Sequence, residues 1–397
     1  MMTLKQKIIN LSDKLFPQVV DIRRHLHQYP ELSFQEVETA QYISNLLTKW
    51  GIEFESGIAE TGIVAYIRGK NPEQKTVALR ADMDALPIEE KNNVSYQSKN
   101  KGVMHACGHD AHTASLLGTI LILNSLKDEF EGTIKCIFQP GEELLPGGAK
   151  RMIQQGVLKN PEPEIVIGQH VYPELPAGKI GLKDGPYMAS TDEIYITIKG
   201  RGGHGAMPWK IDDTVLIASH IILALQQISS RHAPDGIPTI LSFGKIIANG
   251  ATNVIPDEVY LEGTFRTMNE EWRTAAHRKI KKITTGVAQS MGAKAEINIK
   301  KGYPVLINDA KITRIAKKAA MDYLGKNNVM DLNYRMTAED FAYFAREKPS
   351  VFYRLGVSAI NQKECSSLHS STFDINEKAL NTGMGTMAYL AIQFLKP

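Results

Sequence analysis

The densest chemistry in the chain lies in Met104-His105-Ala106-Cys107-Gly108-His109-Asp110-Ala111-His112, which offers one thiol, three imidazoles and one carboxylate. Structural segments rarely concentrate metal-binding side chains in this way, so the stretch reads as half of a metal site. The best complement is Phe138-Gln139-Pro140-Gly141-Glu142-Glu143, where paired acids follow an apolar run and a Pro-Gly turn. One glutamate can bind a metal while its neighbour handles protons. Each residue has a bland reading on its own: Cys107 as a small buried hydrophobe, the histidines as helix caps, and Glu142 and Glu143 as wet surface. Both clusters fall where strands end, and that coincidence favours the site.

Other polar residues fall at similar places. The β-rich run Lys75 to Arg80 feeds into Ala81-Asp82-Met83-Asp84. Alternate residues of an extended segment share a face, so Asp82 and Asp84 can serve one metal directly or by orienting a ligand imidazole. A strand over Glu164 to Gln169 delivers His170, while Asp340 and His369 lie in or near later connections. His25 and His27 read as helix-end residues rather than ligands.

Apolar spacing predicts helices over Leu4 to Val20 and Glu36 to Trp50, and then strands and helices in alternation from Gly62 to Gln169, which is an α/β pattern. From Asp192 the order becomes strand, helix, strand, strand, helix, strand, ending near Ile299, the ferredoxin-like arrangement. The expected organisation is an α/β catalytic domain over 1–182 and 301–397, interrupted by an inserted α+β domain over 183–300. A chain of 397 residues is long enough for two cores.

A net charge of +3, with no long basic run, excludes nucleic acid and anionic membrane as main partners. Cys107, Cys136 and Cys365 lack the close spacing of a disulfide framework, and no apolar run approaches the roughly 18 residues that span a bilayer. With no leader-like N-terminus, a cytoplasmic protein is expected.

Several segments together resemble the amidohydrolase branch of the M20 metallopeptidases, the aminoacylase, hippurate hydrolase and auxin-conjugate hydrolase group. They are Arg24 to Phe34, Leu79 to Pro87, His105 to Ala114, Phe138 to Glu143, Gly200 to Pro208, Asn253 to Asp257, Gly263 to Thr267, Glu339 to Phe344 and Leu368 to Ser370. The resemblance implies a metal-dependent hydrolase of N-acyl-L-amino acids with two divalent ions, held by Cys107, His109, Glu143, His170 and His369. Such mixed ligands suit Mn²⁺ or Zn²⁺, or Co²⁺ or Ni²⁺, rather than Mg²⁺ or Ca²⁺. Neighbours on an extended segment, Glu142 and Glu143 cannot both point at one ion, and the resemblance makes Glu142 the proton carrier. It further implies His204, in the insertion, as oxyanion donor, Arg266 and Asn253 as carboxylate binders, and a homodimer formed through the inserted lid domain. Alternatives are a specialised deacylase acting on N-acetyl-diaminopimelate, a dipeptidase, or a non-catalytic binding protein. Trp209, Met336-Thr337-Ala338 and Ser371 depart from the family's usual residues and leave the acyl group unspecified.

Overall fold

A computed structural model describes residues 2–359 and 366–396, so Cys365 lies outside the described residues. The chain divides into two compact units, 1–185 with 307–333 and 340–397, and 186–306 with 334–339.

The first unit is built on an eight-stranded sheet. Its order across the sheet is Glu53–Ile58, Gly62–Arg68, Thr133–Gln139, Thr76–Asp82, Ile165–Pro176, Ser350–Ser358, Ile180–Leu182 and Val329–Asp331. The middle strands, Thr133–Gln139, Thr76–Asp82, Ile165–Pro176 and Ser350–Ser358, run parallel. Parallel strands are covered on both faces, and Thr76–Asp82, Thr133–Gln139 and Ser350–Ser358 are accordingly buried along their whole length. Helix His109–Ser125 packs between helices Leu4–Gln28 and Lys378–Leu395 and is itself buried for most of its length. It has no wet stripe for a periodicity to reveal.

Two helix boundaries differ from the sequence reading. The first helix passes through Pro17 and runs on beyond Val20 to Gln28. Pro17 sits on the exposed side, where the carbonyl deprived of its partner can meet water. The second is the helix whose apolar spacing, read from the sequence, predicts a span of His112 to Leu126; it starts at His109, because Gly108 adopts φ +81° and turns the chain into it one residue after Cys107.

The second unit holds a four-stranded antiparallel sheet in the order Thr239–Ile247, Glu258–Thr267, Ser190–Lys199, Lys294–Lys301. Helices Thr214–Leu225 and Glu270–Ser290 join its strands and share a core with it, including Ile194, Ile196, Ile217, Ile221, Leu261 and Ile280. Strand order and connections are those of a ferredoxin-like unit. Asp192, fully buried, is matched by Arg273 through two hydrogen bonds and by His277.

No helix among the described residues is long and apolar enough to cross a membrane.

Candidate active site

Parallel strands deliver their chemistry towards their carboxyl ends, and in the first unit three strands do so together. Thr76–Asp82 brings Asp82 and, two residues on, Asp84; Thr133–Gln139 leads through Pro140-Gly141 to Glu142 and Glu143; Ile165–Pro176 carries His170. The turn before helix His109–Ser125 adds Cys107 and His109. Gly108 is required there twice over, by its positive φ and because a Cβ would stand 2.6 Å from a Val171 methyl.

Ligand atoms of Cys107, His109 and His170 lie within 4.8 Å of one another, as do those of Cys107, Glu143 and His369, and those of His109, Glu142 and Glu143. The last group corrects the expectation that adjacent Glu142 and Glu143 must diverge. The segment is not extended: Gly141 has φ +59° and the chain bends after it, so both carboxylates turn towards His109.

The hydrogen bonds fix which nitrogen of each imidazole is available. His109 Nδ1 lies 3.1 Å from Asp84 Oδ1 and acts as donor, which leaves Nε2 as the free end. His170 Nδ1 donates to the Val171 carbonyl at 2.8 Å, and its Nε2 sits 3.4 Å from Cys107 Sγ. His112 is different. Its Nε2 accepts the Val171 N–H at 2.8 Å and its Nδ1 donates to Asp82, so both nitrogens are spent, one on the strand that carries His170 and one on the strand that ends at Asp82. Asp82 and Asp84 thus orient imidazoles, and Asp84 Oδ2 also accepts the Glu143 N–H at 2.9 Å.

Two buried polar atoms in this cluster make no hydrogen bond, His109 Nε2 and Glu143 Oε1. They are 3.9 Å apart, and His369 Nε2 lies 3.2 Å from the same carboxylate oxygen without the alignment of a hydrogen bond. Polar atoms that converge on one space while leaving one another unbonded fit a cation between them. The electrostatics agree. Burial opposes a charge on His109, yet Asp82, Asp84 and Glu143 outweigh it and raise its pKa to about 10. Burial, then Glu143 and Glu142, pushes the Cys107 thiol well above its usual range. A bound cation answers the same field that holds these protons.

Arg80 underpins the cluster. It is fully buried and donates to Asp82, to Gln139 Oε1 and to Asp340 Oδ1, while Asp340 also accepts from Gln139 Nε2 and the Ala149 N–H. Arg80 went unassigned in the sequence, although its place two residues before Asp82 on one strand puts the two on one face. His27 lies in the last turn of the first helix, as expected, and is also a buried hydrogen-bonding residue. It sits between Asp110 and Glu90 beside the equally buried Arg23.

The remaining sequence-marked residues lie in the second unit. His204 is exposed on a short ribbon paired with Val254, beside Asn253. Its Nδ1 accepts the Ala206 N–H at 3.1 Å, so the ring hydrogen is on Nε2. Arg266, half-buried, donates to the Met336 carbonyl at 3.1 Å and lines an open cleft of about 520 Å³ with Ile240, Tyr334, Arg335, Met336 and Thr337. No acid among the described residues lines that cleft.

Residues 78–393 match peptidase family M20/M25/M40. The N-acetyl-L-cysteine deacetylase of Bacillus subtilis is 40% identical over 381 residues, covering 96% of this chain and 89% of its own. The N-acyl-L-amino acid amidohydrolase of Geobacillus stearothermophilus is 44% identical over 304 residues, 77% of this chain and 81% of its own. Among solved structures, the Bacillus subtilis YXEP protein, described as a dinuclear metal binding peptidase of the M20 family, has 34% identity and a TM-score of 0.82, over 96% of this chain and 99% of that one. With a family match over most of its length, and relatives near 40% identity along nearly all of it, the chain belongs to peptidase family M20/M25/M40 and is a hydrolase.

Proposed function

We propose that the chain is a metal-dependent amidohydrolase that cleaves N-acyl-L-amino acids to a carboxylate and a free amino acid, with two divalent ions, Mn²⁺ or Zn²⁺ by preference. The observation that carries this reading is the convergence of ligand atoms from Cys107, His109, Glu143, His170 and His369, with Glu142 at their side. Relatives named for the deacylation of N-acyl amino acids, and a dinuclear neighbour, support it. Bound by those five residues, the ions supply water of lowered pKa and a Lewis acid for the amide carbonyl.

The chain's own groups do the rest. The Glu142 carboxylate takes a proton from the attacking water as the oxygen bonds to the carbonyl carbon, and returns it to the nitrogen as the C–N bond breaks. His204, with its hydrogen on Nε2, is set to donate to the oxyanion, and the Arg266 guanidinium, with Asn253 beside His204, to grip the α-carboxylate at two points. We assign dimerisation to the second unit, where Leu216, Leu223 and Ile246 are 48%, 69% and 52% exposed on a helix and an edge strand.

The test is a panel of N-acetyl and N-benzoyl amino acids, N-acetyl-diaminopimelate and dipeptides, assayed with added Mn²⁺ or Zn²⁺, beside metal analysis of three proteins. Wild type should hold two ions, Glu142→Ala should keep them and lose roughly 10²-fold or more in kcat, and Cys107→Ala should lose metal too. Metal-free Glu142→Ala would reverse the roles of the pair, and turnover of dipeptides alone would replace the substrate class.

A further inference from the structure

The turn that presents Glu142 and Glu143 is gripped by a segment that supplies no metal ligand. Glu36 is fully buried. Its Oε1 accepts the Phe34 N–H at 2.9 Å and the Gly141 N–H at 2.8 Å, and its Oε2 accepts the Thr61 hydroxyl at 2.7 Å. Phe34 has φ +63°, a conformation that costs a bulky residue roughly 1–2 kcal/mol. Its ring fills the space beside Gly141, where an added Cβ would come within 2.4 Å of it, and the Arg151 guanidinium stacks 3.8 Å from the ring centroid. Ser33 Oγ donates to Asp84 Oδ2, the oxygen that also takes the Glu143 N–H.

Backbone on both sides of Glu142 is therefore fixed from Ser33–Glu36, directly at Gly141 and through Asp84 at Glu143. Gly141, at φ +59°, is the residue freest to rotate, and its peptide sets the direction in which Glu142 leaves the turn. We propose that Glu36, with Phe34 packed against Gly141, is a positioning residue that holds the Gly141 peptide so that Glu142 and Glu143 face His109. This rests on reading Glu142 as proton carrier and Glu143 as ligand.

Glu36→Gln keeps an oxygen for the two backbone N–H groups and sets its amide against the Thr61 hydroxyl, which can turn to accept; Glu36→Ala removes all three bonds. Assayed on the full chain with N-acetyl-L-methionine and Mn²⁺, Glu36→Ala should lose about 10- to 100-fold in kcat with KM within about twofold, and Glu36→Gln should stay within about threefold of wild type. The second readout is the visible spectrum of the Co²⁺-loaded proteins: its bands should shift in Glu36→Ala and stay put in Glu36→Gln. Lowered Tm with unchanged kcat and unchanged Co²⁺ bands would overturn the proposal, leaving Glu36 a merely structural residue; equal losses in both variants would overturn it too. If Glu36→Ala fails to fold, Gly141→Ala and Phe34→Ala stand in. The clash predicts a loss in Gly141→Ala that Phe34→Ala partly restores, whereas additive losses defeat the clamp. If wild type hydrolyses none of the panel, the substrate reading falls and the Co²⁺ spectra alone decide the role of Glu36.

Discussion

At the scale of single residues, Glu36 also gives pH a handle on stability. Burial, then the nearby Asp84 charge, pushes its carboxyl up to about 7 from an ordinary 4.5. The folded state then binds more protons than the unfolded chain between those values, so the contribution of Glu36 to stability falls as pH rises through that window and stays low above it. Glu36→Gln, which carries no charge to bury, should match wild type near pH 4 and exceed it by up to roughly 3 kcal/mol at pH 8. Urea midpoints at the two pH values read this out, and an equal difference at both would mean that the carboxylate is compensated where it lies. The residues that converge in the candidate site were legible in the sequence because thiol, imidazoles and paired acids stand in short runs. Glu36 was not: one acid in an ordinary helix start declares neither its burial nor its partner 105 positions away.

Among the elements, strand and helix alternation was visible wherever one side of an element is wet. Helix His109–Ser125, buried nearly throughout, had no stripe to show, and its start was misplaced because a left-handed Gly108 can open a helix as readily as it can end one. The tie between elements was invisible for a related reason, since Arg80 and Asp340 are 260 residues apart and meet only in the folded sheet. That tie makes a prediction. Asp340 is one of two carboxylates that hold the buried Arg80, so Asp340→Ala leaves that charge only partly compensated and strands the Ala149 N–H; it should destabilise the chain by about 3 kcal/mol. Replacing the exposed Lys199 of the Lys199–Glu296 pair by Ala should leave stability nearly unchanged. Denaturant unfolding of the two variants compares them directly, and similar small losses would show that Arg80 finds a substitute in Asp82 and Gln139.

For the whole molecule, the residues proposed for catalysis belong to two separately folded units, Glu142 to the first and His204 to the second. The ferredoxin-like order of the second was readable from its elements alone, whereas the residues 334–339 that join it are a return of the chain with no signal in composition. If the second unit dimerises the protein, Leu223→Asp should yield monomers in sedimentation, since it sets a charge on a residue 69% exposed on the proposed contact face. Dimerisation then raises the question of which chain's His204 serves which Glu142. Mixing Glu142→Ala chains with His204→Ala chains answers it. Equal amounts combined at random give half mixed dimers, and with His204 acting on the partner each mixed dimer has one site with both residues intact and one with neither. Activity should then recover to roughly a quarter of wild type on symmetry grounds. With His204 serving its own chain, no mixed dimer contains an intact site, and activity stays at the level of the single variants. The mixture must be shown to contain mixed dimers, for instance by two differently tagged chains, and in that sample an unrestored rate rejects the exchange of His204 between chains while leaving the amidohydrolase reading untouched.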